Sequence, residues 1–159
     1  NADVVYEATY APLFAHVDGW QWRPDLIWFD NLRSVRSVNW YVQMLYSTNR
    51  GTNMLQLTEN NQPVEGTDGL YASAVYDKPS KSYIVKMANT SDQPQQVVVT
   101  FKGAKQLKPF TMITLHSDNM QATNTLDNPN NVVPKQQTVN ADGNRLVVTL
   151  PAKTFAVCK

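Results

Sequence analysis

Carboxylates, a carboxamide and indole rings crowd into one stretch, Trp20–Asn31, which reads W-Q-W-R-P-D-L-I-W-F-D-N and holds three of the chain's four tryptophans. Two carboxyl groups held face to face can work as a general acid and a general base, so Asp25 and Asp30 are the first pair to consider. Along an extended strand they would lie ~17 Å apart, at ~3.3 Å per residue, and their odd separation would turn them to opposite faces. That geometry excludes them as an acid/base pair. Glu7, Glu59 and Glu65 are the only glutamates, and they stand far apart in sequence. His16 and His116 are isolated, and the single cysteine, Cys158, allows neither a disulfide framework nor a metal-ligand spacing. No metal or other cofactor is expected. Ser117–Asn131 is rich in Asp and Asn oxygens but lacks the D-x-[DN]-x-[DN]-G order of a calcium loop. It reads as a solvated connection or a contact with a neighbouring domain. Asn89-Thr90-Ser91 fits both an N-glycosylation pattern and a turn with local side-chain hydrogen bonds. Cys158, among apolar residues near the end of the chain, reads as an inert buried thiol.

The elements that must position these residues fall into two chemically different parts. Leu26, Ile27, Trp28 and Phe29 form an unbroken apolar run, which as a strand would be buried on both faces. Before it, Asp3–Ala11 has Val4, Ala8 and Ala11 on one face of a helix, ended by Pro12, and Leu13–Ala15 reads as a packed turn. After it, Ser37 is a helix N-cap, and Val38, Tyr41, Val42 and Leu45 recur at i, i+3, i+4 and i+7. Gly51 reads as the left-handed C-cap that lets this helix stop near Thr48. One strand between two helices buries too little surface to offset its ordering entropy, so residues 1–50 must lean on something outside themselves.

From Gly51 onward short alternating strands follow one another. They are Met54–Thr58, a hairpin of Tyr71–Tyr76 and Ser82–Met87 around Asp77–Lys81, Gln95–Lys102, Phe110–His116, Arg145–Leu150 and Phe155–Cys158. Each carries one apolar face, the pattern of a two-sheet antiparallel sandwich. The 42% hydrophobic and 17% charged composition is that of an ordinary globular protein, and no apolar run approaches the ~20 residues of a membrane-spanning helix. A net charge of +1, with basic and acidic residues interspersed, provides no footprint for nucleic acid or an anionic membrane. Neutral partners are expected, and the compartment stays open between periplasm, exterior and cytoplasm.

Ala2-Asp3-Val4-Val5, Tyr10–Ala15, Trp22–Asn31 and Tyr41–Ser47 resemble, in order and spacing, the C-terminal part of α-L-arabinofuranosidases of glycoside hydrolase family 51. Tyr71–Ala74, the Asn89–Ser91 turn, Leu126–Pro129 and Val132–Pro134 extend the resemblance across nearly the whole chain. Departures are Asn39-Trp40, where related sequences more usually carry Pro-Ser-Tyr, and Glu7, where an apolar residue is usual. The resemblance implies a jelly-roll-like antiparallel β-sandwich over 51–159, preceded by a helix-strand-helix remnant of a (β/α)8 barrel over 1–50. It also implies a bacterial parent enzyme removing terminal arabinofuranosyl residues from arabinoxylan or arabinan with retention. Such chemistry needs two carboxyl groups ~5–5.5 Å apart, and the family's catalytic glutamates lie on earlier strands, so this chain alone should be inactive. Trp28, Asp30 and Asn31, at the end of the expected last barrel strand, are the candidate substrate-binding residues, since strand C-terminal ends face the site in such barrels. Trp20 and Trp22 read as a packed loop.

Two other classes compete. One is a carbohydrate-binding sandwich module, disfavoured because the aromatics after Gly51 sit at core positions; the other is an adhesion sandwich, which fold type alone would leave open. The expected partners are the rest of the barrel and an arabinose-containing polysaccharide or oligosaccharide. Without that barrel, residues 1–50 should pack on the sandwich, pair with a second copy to give a homo-oligomer, or remain poorly ordered.

Overall fold

Ser37 opens the helix as its sequence position suggests: its side-chain oxygen accepts a hydrogen bond from the Trp40 N–H at 3.2 Å. The computed structural model describes residues 4–159. In chain order it contains β1 (Phe14–His16), β2 (Ile27–Phe29), β3 (Ser34–Arg36), α1 (Val38–Thr48), β4 (Asn53–Leu55), β5 (Thr58–Glu59), β6 (Gln62–Pro63), β7 (Leu70–Asp77), β8 (Ser82–Asn89), β9 (Gln95–Thr100), β10 (Phe110–His116), β11 (Lys135–Val139), β12 (Arg145–Leu150) and β13 (Thr154–Cys158). Mainly β and mostly antiparallel, this is a β-sandwich with one α-helix among the described residues.

The larger sheet has the order β11-β10-β13-β8-β7-β4, every neighbouring pair antiparallel. Facing it is the β9–β12 ribbon, in which Val99 stands opposite Leu146 and Val97 opposite Val148. The core lies between them: Val85 and Met87 of β8, Phe110 and Met112 of β10, Ala156 and Cys158 of β13 meet Val99, Leu146, Val148 and Leu150. Strand alternation turns the intervening residues the other way. On that outer face Ile84 and Val157 pack under Leu45 of α1, while Leu115 and Val132 pack under Tyr41. Tyr46 stacks on Phe155 at 5.2 Å, and the Lys86 ammonium sits 5.3 Å from the Tyr46 ring centroid. Burial there pushes Lys86 below the usual lysine range. The layers therefore run helix, large sheet, ribbon, and the helix face expected from periodicity is the one that docks.

Three expectations for the first 50 residues are corrected. The helix proposed over 3–11 begins outside the described residues, and 4–11 contain none. Its amphipathic face has nothing to bury against, since Val4, Val5 and Tyr6 are exposed, and a short helix without a docked face does not hold in water. Leu13–Ala15 is not a turn but leads into β1, which pairs in parallel with β2 through Phe14↔Ile27 and His16↔Phe29. The apolar run is not buried on both faces: Ile27, Trp28 and Phe29 are all half-buried. β2 has partners at its edges, parallel β1 and antiparallel β3, but incomplete cover above and below.

Gly51 is also there for a different reason from the one its position suggested. Asn49 is the C-cap. At Gly51 an added Cβ would fall 2.6 Å from Val75 Cγ2, so the glycine allows the chain leaving α1 to pass against β7, where the Thr52 N–H donates to the Tyr76 carbonyl at 2.9 Å. The polar edge strand β11, K-Q-Q-T-V, was invisible to apolar alternation because most of its side chains face solvent.

Asn89 ends β8 in the interior, 1% exposed. Its amide nitrogen lies 2.8, 2.9 and 3.2 Å from the carbonyl oxygens of Gln93, Pro151 and Leu150, and its oxygen accepts from the Ser91 N–H and hydroxyl. The turn reading of Asn89-Thr90-Ser91 is thus the structural one, and a glycan has no room on this nitrogen. Cys158 is fully buried, and burial pushes its thiol up to about 12. Iodoacetamide at pH 8 should alkylate it about 10³-fold more slowly in the native chain than in denaturant. Equal rates would mean that β13 opens readily.

Candidate functional site

The Trp20–Asn31 stretch reaches its position through β2, whose Trp28 stands between Ala15 of β1 and Val35 of β3. Beside it, the Ser117–Asn131 loop folds back from the sandwich and is held by Asn124. The Asn124 amide donates to the carbonyls of Arg36 at 3.0 Å and Val132 at 2.9 Å, and its oxygen accepts from the Val132 N–H at 2.7 Å. Arg33 supplies a second tie, donating to Asp30 Oδ2 at 3.0 Å and to Asp127 Oδ1 at 2.9 Å. The long loop is therefore the connection between the sandwich and the three-stranded sheet. Between them lies a cleft of about 740 Å³, whose lining includes Arg23, Asp25, Trp28, Asp30, Asn39, Asn124 and Asp127.

The three candidate residues do not share this cleft equally. Trp28 lines it, with the Arg23 guanidinium 5.0 Å from its ring centroid and Trp20 edge-on at 5.9 Å. Asp30 also lines it, but its carboxylate is spent: Oδ1 accepts from the N–H groups of Leu32 at 2.8 Å and Arg33 at 2.6 Å, and Oδ2 faces the Arg33 side chain. Asn31 is exposed at the β2–β3 turn and is not among the lining residues. Asp25, rejected above because strand alternation would turn it away from Asp30, lines the same cleft. Alternation does not apply because β2 covers only 27–29, leaving both aspartates outside the strand. Asp25 was visible in the sequence as a carboxylate and was set aside on strand geometry, whereas Arg33 had no local sequence signal.

The backbone N–H of Leu32, followed by the N–H and guanidinium of Arg33, holds the Asp30 carboxyl below the ordinary 3.8. A depressed folded value means that this turn contributes stability fully above pH 3.8 and loses it as pH falls through the lower folded value. An NMR pH titration should place the midpoint of the Leu32 and Arg33 amide shifts below 3.8; a midpoint at or above it would contradict the hydrogen bonding described. The two histidines are accounted for locally. His116 lies 3.1 Å from both Asp118 Oδ1 and Thr154 Oγ1, and His16 Nδ1 accepts from the Asp18 N–H at 3.2 Å.

The family model described as alpha-L-arabinofuranosidase C-terminal domain matches residues 1–154. A probable alpha-L-arabinofuranosidase A of Aspergillus terreus is 33% identical over 161 residues, spanning 99% of this chain and 24% of that protein. An extracellular exo-alpha-L-arabinofuranosidase of Streptomyces chartreusis is 48% identical over 63 residues, 40% of this chain and 8% of that protein. The solved structure of an arabinose-bound MgGH51 α-L-arabinofuranosidase superposes with a TM-score of 0.87 at 28% identity, covering 99% of this chain and 24% of that one. The Thermotoga maritima arabinofuranosidase, at 18% identity and a TM-score of 0.71 over 84% of this chain and 31% of that one, shares the fold. The chain thus spans about a quarter of the length of the full-chain relatives. Those relatives are fungal as well as bacterial, so the expected bacterial source gains no support from them.

Proposed function

The chain belongs to the alpha-L-arabinofuranosidase C-terminal domain family, and on that premise we propose that it is the C-terminal part of a retaining, exo-acting α-L-arabinofuranosidase. The parent would remove terminal arabinofuranosyl residues from arabinoxylan or arabinan. In this reading residues 1–50 complete a (β/α)8 barrel supplied by the upstream chain, and residues 51–159 form a jelly-roll-like sandwich that braces it. The observation that carries the proposal is where apolar surface is left open. Between Val4 and Leu32 the side chains of Tyr6, Leu13, Phe14, Trp20, Trp22 and Leu32 are exposed, Leu32 at 95%. So many exposed large apolar side chains within one short segment are what a surface made to be covered would leave. The parallel β1–β2 pair, with β1 at the sheet edge, is a natural place for an upstream parallel strand.

The chemistry would then come from the upstream chain. Glu59 is exposed on the short strand β5, and Glu65 sits beside Tyr71 on the sandwich. Trp28, Asp30 and Asn31 remain the proposed rim of the substrate pocket, with Trp28 supplying an apolar wall and Asp30 acting by fixing Arg33. The purified chain should show no saturable hydrolysis of an aryl α-L-arabinofuranoside, whereas the chain joined to its upstream segment should show it. Saturable turnover by the chain alone, or none by the longer protein, would overturn the proposal. A second reading, a sugar-binding sandwich, draws on a groove of about 770 Å³ lined by Leu57, Asn60, Tyr83 and Phe101. Retardation in affinity electrophoresis through arabinoxylan, abolished by Tyr83→Ala, would favour it.

A further inference from the structure

We propose that the outer face of the large sheet beside α1, centred on Lys86, docks the upstream chain and receives from it an aspartate or glutamate side chain as the counter-ion of the Lys86 ammonium. The inference rests on the reading of the chain as the C-terminal part of a longer enzyme and adds the chemistry of one contact. Register builds the face. Tyr71 of β7, Ala88 of β8 and Phe155 of β13 stand side by side on one rung, and Ser73, Lys86 and Val157 on the next rung of the same face. Leu45 of α1 covers Val157, but Tyr46, which stacks on Phe155, and Tyr71 are left about half exposed, and Ser73 is exposed.

Lys86 lies within this aromatic surface, 8% exposed, with its ammonium against the Tyr46 ring and no hydrogen bond or ion pair among the described residues. Its neighbours cannot neutralise it. The elements around it, α1, β8 and β13, contain no carboxylate, and β7 has one, Asp77. Asp77 stands opposite Ser82, four residues along β8 from Lys86 and so ~13 Å away at ~3.3 Å per residue. Its Oδ2 already accepts from the Ser80 N–H and hydroxyl. A cation taken out of water without a partner is costly, whereas a carboxylate brought to it inside a covered face makes a charge-assisted bond. The Tyr46 and Ser73 hydroxyls, also without hydrogen bonds among the described residues, are further donors on the same face. The occupant follows from position. Tyr46 belongs to α1, which in the proposed reading closes the barrel, so upstream chain packed beside α1 also lies over Tyr46 and Phe155.

The test follows the titration of isotope-labelled lysine side chains by NMR, in the chain and in the chain joined to its upstream segment. In the chain, burial without a counter-ion should put the Lys86 midpoint below the ordinary 10.5. In the longer protein the midpoint should move up, the proton held at least about tenfold more tightly, because a paired carboxylate favours the charged form. Apolar cover alone would drive it lower still, and an open face would leave it unchanged; either result overturns the proposal. So does a midpoint that climbs with concentration in the chain alone, which would give the face to a second copy. Lys86→Met removes an unpaired charge from the chain and keeps a side chain against Tyr46, so the melting temperature there should hold or rise. In the longer protein the same change strands the upstream carboxylate and should lower it by at least about 4 °C. A fall in the chain, or none in the longer protein, would contradict the pairing. Should the variant fail to fold, the titration of the unaltered proteins decides. A longer protein that hydrolyses the aryl arabinofuranoside with the Lys86 midpoint still low sinks this inference alone; one that raises the midpoint without hydrolysis sinks the enzymatic reading alone.

Discussion

Asn89→Ala should lower the unfolding free energy by about 3–5 kcal/mol, since it strands several buried backbone groups at once and each costs roughly 1–3 kcal/mol. The Leu150 and Pro151 carbonyls would lose the donor that Asn89 supplies and the Ser91 N–H its acceptor, while the Ser91 hydroxyl and the Gln93 carbonyl keep each other at 2.9 Å. In a domain of this size that is a fall in melting temperature of roughly 10 °C, or more. Asn89→Asp makes the point sharper. It keeps the acceptor for Ser91 but turns a carboxylate oxygen toward the three carbonyls, so it should be at least as damaging as alanine. A calorimetric shift below about 1 kcal/mol for either variant would show that the β8 end and the Leu150–Pro151 corner do not depend on this side chain.

Leu45→Ala should cost about 3 kcal/mol, within the range for emptying a fully buried leucine site. Leu45 is 2% exposed and is the contact through which α1 holds Ile84 and Val157. The loss should be local before it is global, because beyond Leu45 the ties of α1 and the three-stranded sheet to the sandwich are mostly partly buried: Val38, Trp40, Val42 and Met44 around Tyr41 and Leu45, Tyr46 between Phe155 and Lys86, and the bonds of Asn124 and Arg33. All four tryptophans lie before Gly51, so their fluorescence reports on that part alone while circular dichroism follows the strands. The two melts should coincide in the unaltered chain and separate in Leu45→Ala, fluorescence moving first. Coincident melts in the variant would mean that residues 4–50 and the sandwich unfold as one unit whatever α1 contributes.

Helix α1 and the sandwich strands were legible in the sequence because they follow rules that act within a few residues. Ser37 caps its own helix; Val97, Val99 and Phe101 alternate; Asp77–Lys81 turns a hairpin whose strands differ from the expected spans only at their ends. Tyr10–Ser47, read as a motif, pointed to the family that the whole-chain comparison bears out. The cleft was only half legible. Trp28 could be chosen because the resemblance sets it at the end of an expected barrel strand, but nothing near Asp30 in sequence says that Arg33 will also bind Asp127, almost a hundred residues on.

The sequence by itself determined the class of fold, the helix face that docks and the burial of Cys158, which depend on local periodicity, capping and burial of apolar side chains, and its motifs resembled the family to which the chain belongs. Tertiary structure decided the rest. It replaced the N-terminal helix with open chain because that helix had no surface to cover, and it made β2 a half-covered strand between a parallel and an antiparallel neighbour. It also brought the Ser117–Asn131 loop across to build a cleft that Asp25, Trp28 and Asp30 line. Each of these depends on which distant surface is present to be buried against, and that is set by the packing of the whole chain rather than by any stretch of it.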